Sequence, residues 1–485
     1  MVQISVREFK NYIDGKWSDS SSGEILEVFC PGDGQLVTRV PKSAKADMER
    51  AIAAAKRAFY EEDWAFNPRR RSQAMFAWAA EMRANLEEVA TILSLETGKP
   101  IGEARFETNG AINYLEYYAA ATRTLYGATN AVDKTTLSVL AREPVGVVGG
   151  IIPWNYPITL FMRDMAPAVA AGNTIVVKPA AITSGSGLIL LELAEKTGLF
   201  PAGTLNCVTG AGSSVGEVLI AHDDVDMISF TGSTSVGQHI MEVGSKTMKK
   251  LSLELGGKSP NVIFADANLE KALPFAIKGI FTNAGQLCTV GSRILLEESL
   301  VETFLPRLKA AAEALKVGHG LDPATQMGPV SSQKQLEDVL AFIEEGKKCA
   351  QLVTGGYRIT DGELSKGCFV APTIFLNPPM DSHIVQEEIF GPVLVIQTFK
   401  TEEEAIEIAN GTKYGLASAV WTKDIDKALR VSRRIRAGSC WINCYNKLLP
   451  ECETGGYKQS GVDRAGGIEG LMKYTEVKHI GIDFA

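Results

Sequence analysis

The sequence predicts an α/β protein built on two doubly wound parallel sheets. Short apolar runs rich in β-branched residues begin at roughly 20–30-residue intervals from Val145 onward, bounded by Gly, Pro or polar residues. Amphipathic stretches of helical length lie between these runs. After Gly257 the alternation starts again as a second series. Strands joined through helices in this way make right-handed crossovers and hence a parallel sheet.

The elements follow in chain order. After a strand-like opening, "SDSSSGE" at 18–24 reads as a surface turn. In residues 44–61, Met48, Ile52, Ala55 and Phe59 recur at helical spacing. Residues 68–97 read as one helix on the stripe Met75, Trp78, Ala79, Met82, Leu86, Val89 and Leu93, stopped by "TGKP". The first strand series is "VGVVGGIIPW" (145–154), "TIVVKP" (174–179), "TLNCVTG" (204–210), "MISFTG" (227–232) and "KLSLELGG" (250–257). Helical stretches at 186–199 and 236–250 separate some of these strands. The second series begins with a helix at about 269–283. Its strands are "SRILLEES" (292–299), "FGPVLVIQTF" (390–399), "GLASAVWT" (415–422) and "SCWIN" (439–443).

Composition narrows the function classes. A 485-residue chain that is 45% hydrophobic and 22% charged has ample material for a large core. Its net charge of −8 argues against nucleic acid as the main partner. No run of eighteen apolar residues exists, so no membrane span is expected. The opening "MVQISVREFKNYIDGKW" lacks the apolar segment of a secretory leader, so a cytoplasmic location with reduced thiols is expected. The eight cysteines form no C-x-x-C pair and the five histidines are not paired at helical spacing, which argues against a metal site.

Ligands of doubly wound sheets bind beyond the carboxyl ends of the strands. Four such ends carry polar groups: Asn155 after "IIPW", Lys178 in "TIVVK", Gly232 and Ser233 after "MISFT", and Glu254 in "LSLELGG". "FTGSTSVG" joins a strand through a Gly-containing turn to a helix, an arrangement that suits an anion or simply a tight turn. "LGGKS" is not a P-loop, because Ser252 stands where the first glycine is required. Glu254 alternates with Leu253 and Leu255 and is either a solvent-facing strand residue or a general base. Cys288, in "FTNAGQLCTVGSR", is either a buried small hydrophobe or a nucleophile.

Ten landmarks in order settle on one family: "LETGKP", "REPVGV", "PWNYP", "GNTIVVKP", "FTGST", "LELGGKSP", "NAGQLC", "EEIFGPV", "WIN" and "GGYKQSG". Over nearly its whole length the chain resembles the NAD(P)-dependent aldehyde dehydrogenase superfamily. The resemblance implies a Rossmann-like cofactor domain (1–121 and 143–255) and a catalytic domain (256–466). It also implies a β-hairpin oligomerisation arm and tail (122–142 and 467–485), and hence a homodimer or homotetramer. Cys288 matches the nucleophile that gives a thiohemiacetal and then a thioester. Asn155 and the Cys288 backbone N–H match the oxyanion donors. Glu254 matches the base that activates water, which implies a free carboxylic acid as product. For the cofactor, NAD or NADP, the matching positions are Ile152, Trp154, Lys178, Gly232, Ser233, Glu388 and Phe390.

Departures from the family pattern bear on specificity. Ala181 stands where NAD-preferring members commonly carry a glutamate, which implies that NADP is accepted alongside NAD. In the substrate tunnel Tyr156 keeps an aromatic. Arg163 replaces an aromatic, and implies either a partner for a substrate carboxylate or a pairing with an internal acid such as Glu451 or Glu453. Thr282 stands where succinic semialdehyde enzymes carry a second arginine, and Leu448 and Thr454 replace aromatics. A small polar or anionic aldehyde is therefore expected, with a semialdehyde, an aminoaldehyde or betaine aldehyde as alternatives. From other classes, a catalytically idle binding relative and an esterase-like cysteine hydrolase are the competing readings.

Overall fold

The computed structural model describes residues 5–485. Five parallel strands form the centre of the first sheet: β1 (Val147–Ile152), β2 (Thr174–Pro179), β3 (Leu205–Cys207), β4 (Met227–Thr231) and β5 (Lys250–Glu254). Their spatial order is β5-β4-β1-β2-β3. The chain leaves β1 toward β2 on one side, then returns to its other side with β4. That reversal opens a crevice between β1 and β4, the place where this fold class receives ligands.

Antiparallel strands close both edges, Asn11–Ile13 with Lys16–Ser18 beside β3 and Gly461–Val462 beside β5. The last pairing brings a segment from the expected catalytic domain back onto the first sheet. Helices cover both faces. The helix Pro157–Ala171, called α1, and the helices Pro68–Ala84 and Ile101–Ala121 share one apolar core, and the helix Lys45–Glu61 covers the other face.

The second sheet has seven strands in the order 351–354, 373–376, 393–399, 293–297, 260–263, 417–421 and 439–442. Only its first pair is antiparallel, so this sheet too is doubly wound. A third layer is the exposed antiparallel ribbon of Ala128–Ala131, Thr136–Pro144 and Thr475–Asp483. Among the described residues no helix is long and apolar enough to cross a membrane.

Three expected elements are corrected. The stretch 68–97 is two helices, Pro68–Ala84 and Leu86–Thr97. Asn85 interrupts it at φ −110°, ψ 23°, and its side-chain amide donates to the Glu81 carbonyl at 2.8 Å, a local bond that competes with the helix. The stretch 236–250 is α-helical only through Gly244, in the helix Thr234–Gly244, then runs on as a 3-10 turn Ser245–Thr247 before Met248 turns left-handed at φ +55°. β5 stops at Glu254, and the Leu255 N–H beyond it bonds to the Ser460 carbonyl at 2.9 Å, in register with the edge strand Gly461–Val462.

Arg293 ties the second sheet together. Its fully buried guanidinium donates to the carbonyls of Lys258 at 3.0 Å, Ile408 at 3.0 Å and Ala409 at 2.9 Å. It satisfies the last turn of the helix Glu402–Asn410 and places a cation at the helix's negative end. Arg293→Met orphans these acceptors at about 1–3 kcal/mol each. The variant should lose about 3 kcal/mol or more of stability, read as a lower urea midpoint.

Candidate active site

The helix Leu269–Phe281 ends at the loop that carries Cys288. Asn283, Ala284 and Gly285 follow in left-handed conformation at φ +49°, +51° and +74°. Gly285 is required there, because a Cβ would lie 2.0 Å from the Gly391 carbonyl oxygen. Gln286 then pins the loop. Its amide nitrogen donates to the Asn283 carbonyl at 2.8 Å, and its amide oxygen accepts from the Ser331 N–H at 2.8 Å.

Asn155 approaches from the end of β1. Its side-chain Nδ2 donates to the Gln286 carbonyl at 3.0 Å. Its own carbonyl accepts from Lys99 Nζ at 2.8 Å and from Asn283 Nδ2 at 3.1 Å. Lys99 forms a fully buried ion pair with Glu107. The other Glu107 oxygen accepts from the N–H groups of Ile158 at 3.0 Å and Thr159 at 3.3 Å, capping α1. The Asn155 amide is thus fixed against the Cys288 loop with a second N–H left over.

Glu254 ends β5 opposite Thr231 of β4. It is buried, and its Oε1 has no hydrogen-bond partner. Burial pushes its carboxyl up to about 7, with Arg163 and then Lys473 opposing. Glu388 accepts from the Gly257 N–H at 3.0 Å, and burial pushes it up to about 7 as well. Burial first, then Glu388, push the Cys288 thiol up to about 12, against the pull of Arg163. The thiol is therefore protonated near neutral pH, and its activation requires a base.

Asn155, Glu254 and Cys288 line one pocket of about 460 Å³. Trp154, Gly232, Ser233, Glu388 and Phe390 share its wall. Phe390, at φ +55°, sets its ring edge-on to Trp154 with centroids 5.2 Å apart. Gln335 holds Phe390 by donating to its carbonyl at 2.8 Å and also lines the pocket. Gln335, Phe342 and His383 in this wall escaped the sequence reading, because they lie on amphipathic helices with no local motif. Ile152, Lys178 and Ala181 lie outside this pocket. Lys178 is buried, and burial pushes it down to about 8.

Tyr156, Arg163, Thr282, Leu448 and Thr454 also lie outside the pocket wall. Lys99 Nζ sits 3.8 Å from the Tyr156 ring centre. Thr282 caps the helix that precedes the cysteine loop, and Thr454 bridges to Ala465. Leu448 is exposed. Arg163 is paired internally, but its partner is Asp164 at 2.9 Å and not Glu451 or Glu453. Neighbouring residues on one helix turn satisfied a charge that the sequence reading had sent to a distant loop. Elsewhere, Cys30, Asp33 and His319 bring their ligating atoms within 4.8 Å of one another. The His319 Nδ1 accepts from the Leu321 N–H at 3.2 Å, which leaves the ring proton on Nε2, facing Cys30 and Asp33. His319 Nε2 lies 3.5 Å from Cys30 Sγ and 3.4 Å from Asp33 Oδ2.

A family model described as "Aldehyde dehydrogenase family" matches residues 17–480. Betaine aldehyde dehydrogenase of Bacillus subtilis (strain 168) is 42% identical over 472 residues, covering 97% of this chain and 96% of that protein. Hydroxyisobutyraldehyde dehydrogenase of Mycolicibacterium austroafricanum is 42% identical over 473 residues, covering 97% and 93%. The crystal structure of betaine aldehyde dehydrogenase from Staphylococcus aureus in complex with NAD+ superposes with a TM-score of 0.96 at 38% identity, covering 98% of this chain and 95% of that one.

The raised thiol has a measurable consequence. In the cofactor-free enzyme, iodoacetamide labelling of Cys288 should rise about tenfold per pH unit from pH 7 to 9, because the thiolate fraction is still growing well below about 12. Peptide mass spectrometry reads the rate. A plateau already below pH 8 would contradict this.

Proposed function

The chain belongs to the aldehyde dehydrogenase family, and from that premise we propose how its own residues oxidise an aldehyde to a carboxylic acid. Cys288 loses its proton and its sulfur bonds to the aldehyde carbon, giving a thiohemiacetal. Glu254, ionised above about pH 7 and facing the same pocket, is the base that takes the proton. The free N–H of the Asn155 amide and the Cys288 backbone N–H receive the negative charge on oxygen. When bound, NAD+ or NADP+ accepts a hydride from that carbon, leaving a thioester on Cys288. Once Glu254 has passed that first proton to solvent it removes a proton from water, the water oxygen bonds to the acyl carbon, and the C–S bond breaks to release acid and thiolate. The observation that carries this reading is the convergence of Asn155, Glu254 and Cys288 on one pocket.

The residues present suit the dinucleotide. Gly232 and Ser233 open the helix Thr234–Gly244, whose first N–H groups suit a pyrophosphate. Lys178 is a buried amine near the end of β2, pushed down by burial against the pull of Cys207, and suits a ribose hydroxyl. Glu388 and Phe390 flank the nicotinamide end, with Trp154 and Ile152 as further contacts. The NAD+-bound relative supports NAD+ as a cofactor here. Ala181 offers no carboxylate to repel a 2′-phosphate, which supports acceptance of NADP+.

The substrate reading is a small polar aldehyde, neutral or cationic. Arg163, the basis for expecting an anionic one, already has its charge matched by Asp164. The names of the betaine aldehyde dehydrogenase relatives support the cationic choice. The ribbon strand Thr475–Asp483 leaves one edge free to extend another subunit's sheet, supporting a homodimer or homotetramer. Eight unpaired cysteines suit a reducing, cytoplasmic compartment.

A panel of length-matched aldehydes carrying a trimethylammonium, a hydroxyl or a carboxylate tests this, each assayed with both cofactors. The carboxylate member should show the lowest kcat/KM, and NAD+ should be preferred by less than about a thousandfold. A semialdehyde turned over tenfold better than the others would overturn the substrate reading. Asn155→Ala should cost about 10²–10³ in kcat with KM little changed, as measured for lost oxyanion donors.

A further inference from the structure

Arg163 lies on α1 with its side chain almost wholly buried. Its Nε and Nη2 hold both Asp164 oxygens, at 2.9 and 3.2 Å. The same Nη2 donates to Thr231 Oγ1 at 2.7 Å. Thr231 is the residue opposite Glu254 in the sheet, and both line the pocket that holds Cys288. The guanidinium is therefore anchored through Nε and Nη2 to Asp164 and to the residue that pairs with the base.

Glu254 has need of such a neighbour. Its Oε1 is buried with no hydrogen-bond donor, so the anion depends on charges at a distance. Several charged groups reach it. From α1 come Arg163, which opposes burial most strongly, and Asp164, which reinforces it. From the chain's last segment come Lys473, bonded to Ser252 Oγ at 2.7 Å, and Arg464. From the cysteine loop comes Cys288 itself.

We propose that Arg163 is a positioning residue for the general base: clamped by Asp164 and Thr231, it holds Glu254 as a carboxylate for thioester hydrolysis and binds no substrate carboxylate. This rests on the assignment of Glu254 as that base. After each hydrolysis Glu254 carries the proton taken from water. It must shed that proton to solvent before the next cycle, and the fixed cation favours the release. Asp164 acts in the other direction, so the pair sets the value and does not simply lower it.

The test is the pH profile of kcat for a neutral aldehyde, together with the burst of reduced cofactor. In Arg163→Met the limb near pH 7 should move up by at least one unit. KM should be retained, the burst rate should follow the same shifted limb because Glu254 also takes the thiol proton, and kcat at pH 7 should fall at least about fivefold. Arg163→Lys should restore the limb, and Asp164→Asn should move it down. If Arg163→Met does not fold, the last two variants carry the test, and an unmoved limb in Asp164→Asn overturns the proposal. A raised KM confined to anionic aldehydes, with the limb in place, also overturns it and makes Arg163 a substrate anchor. Glu254→Gln separates the two claims. If its hydrolysis rate is unchanged, the general-base assignment fails; if it is slowed while the Arg163 variants keep the wild-type limb, only the role of Arg163 fails.

Discussion

The buried ion pair of Lys99 and Glu107 is the constraint on which the site depends. Two opposite charges out of water are tolerable only when their remaining donors and acceptors are satisfied. Here the satisfying groups belong to the site. Lys99 spends a donor on the Asn155 carbonyl and lies over the Tyr156 ring, while Glu107 spends an oxygen on the first N–H groups of α1. The helical layer, β1 and α1 are thereby locked at one point. The Asn155 amide then reaches across to the carbonyl of Gln286, two residues before the nucleophile.

Burial is the second organising force. Burial in one place pushes Cys288, Glu254 and Glu388 upward, each disfavouring its charged form. Two carboxyls poised near neutrality beside a protonated thiol suit chemistry that moves protons twice per turnover. Charge from Arg163 and Lys473 keeps Glu254 from rising further. Reactivity here is a property of the pocket's dielectric as much as of its residue types.

Much of the fold was legible in the chain. β-branched runs separated by amphipathic stretches specified parallel sheets, since strands covered on both faces read as continuous apolar segments. The breaks were less legible. Asn85 splits an apolar stripe with one side-chain bond, and Met248 ends a helical stretch by turning left-handed. Gln335 could not be found from its own helix, because its partner, the Phe390 carbonyl, lies 55 residues away.

By itself the sequence determined which side chains stand at the ends of strands, and thereby the chemistry. Asn155, Glu254 and Cys288 follow motifs whose local backbone requirements, glycines and turns, are written beside them. The tertiary structure decided which charges are free. Arg163 looked available for a substrate until packing showed it clamped between Asp164 and Thr231. Charge pairing depends on distance and dielectric in three dimensions, and neither is encoded by residue spacing.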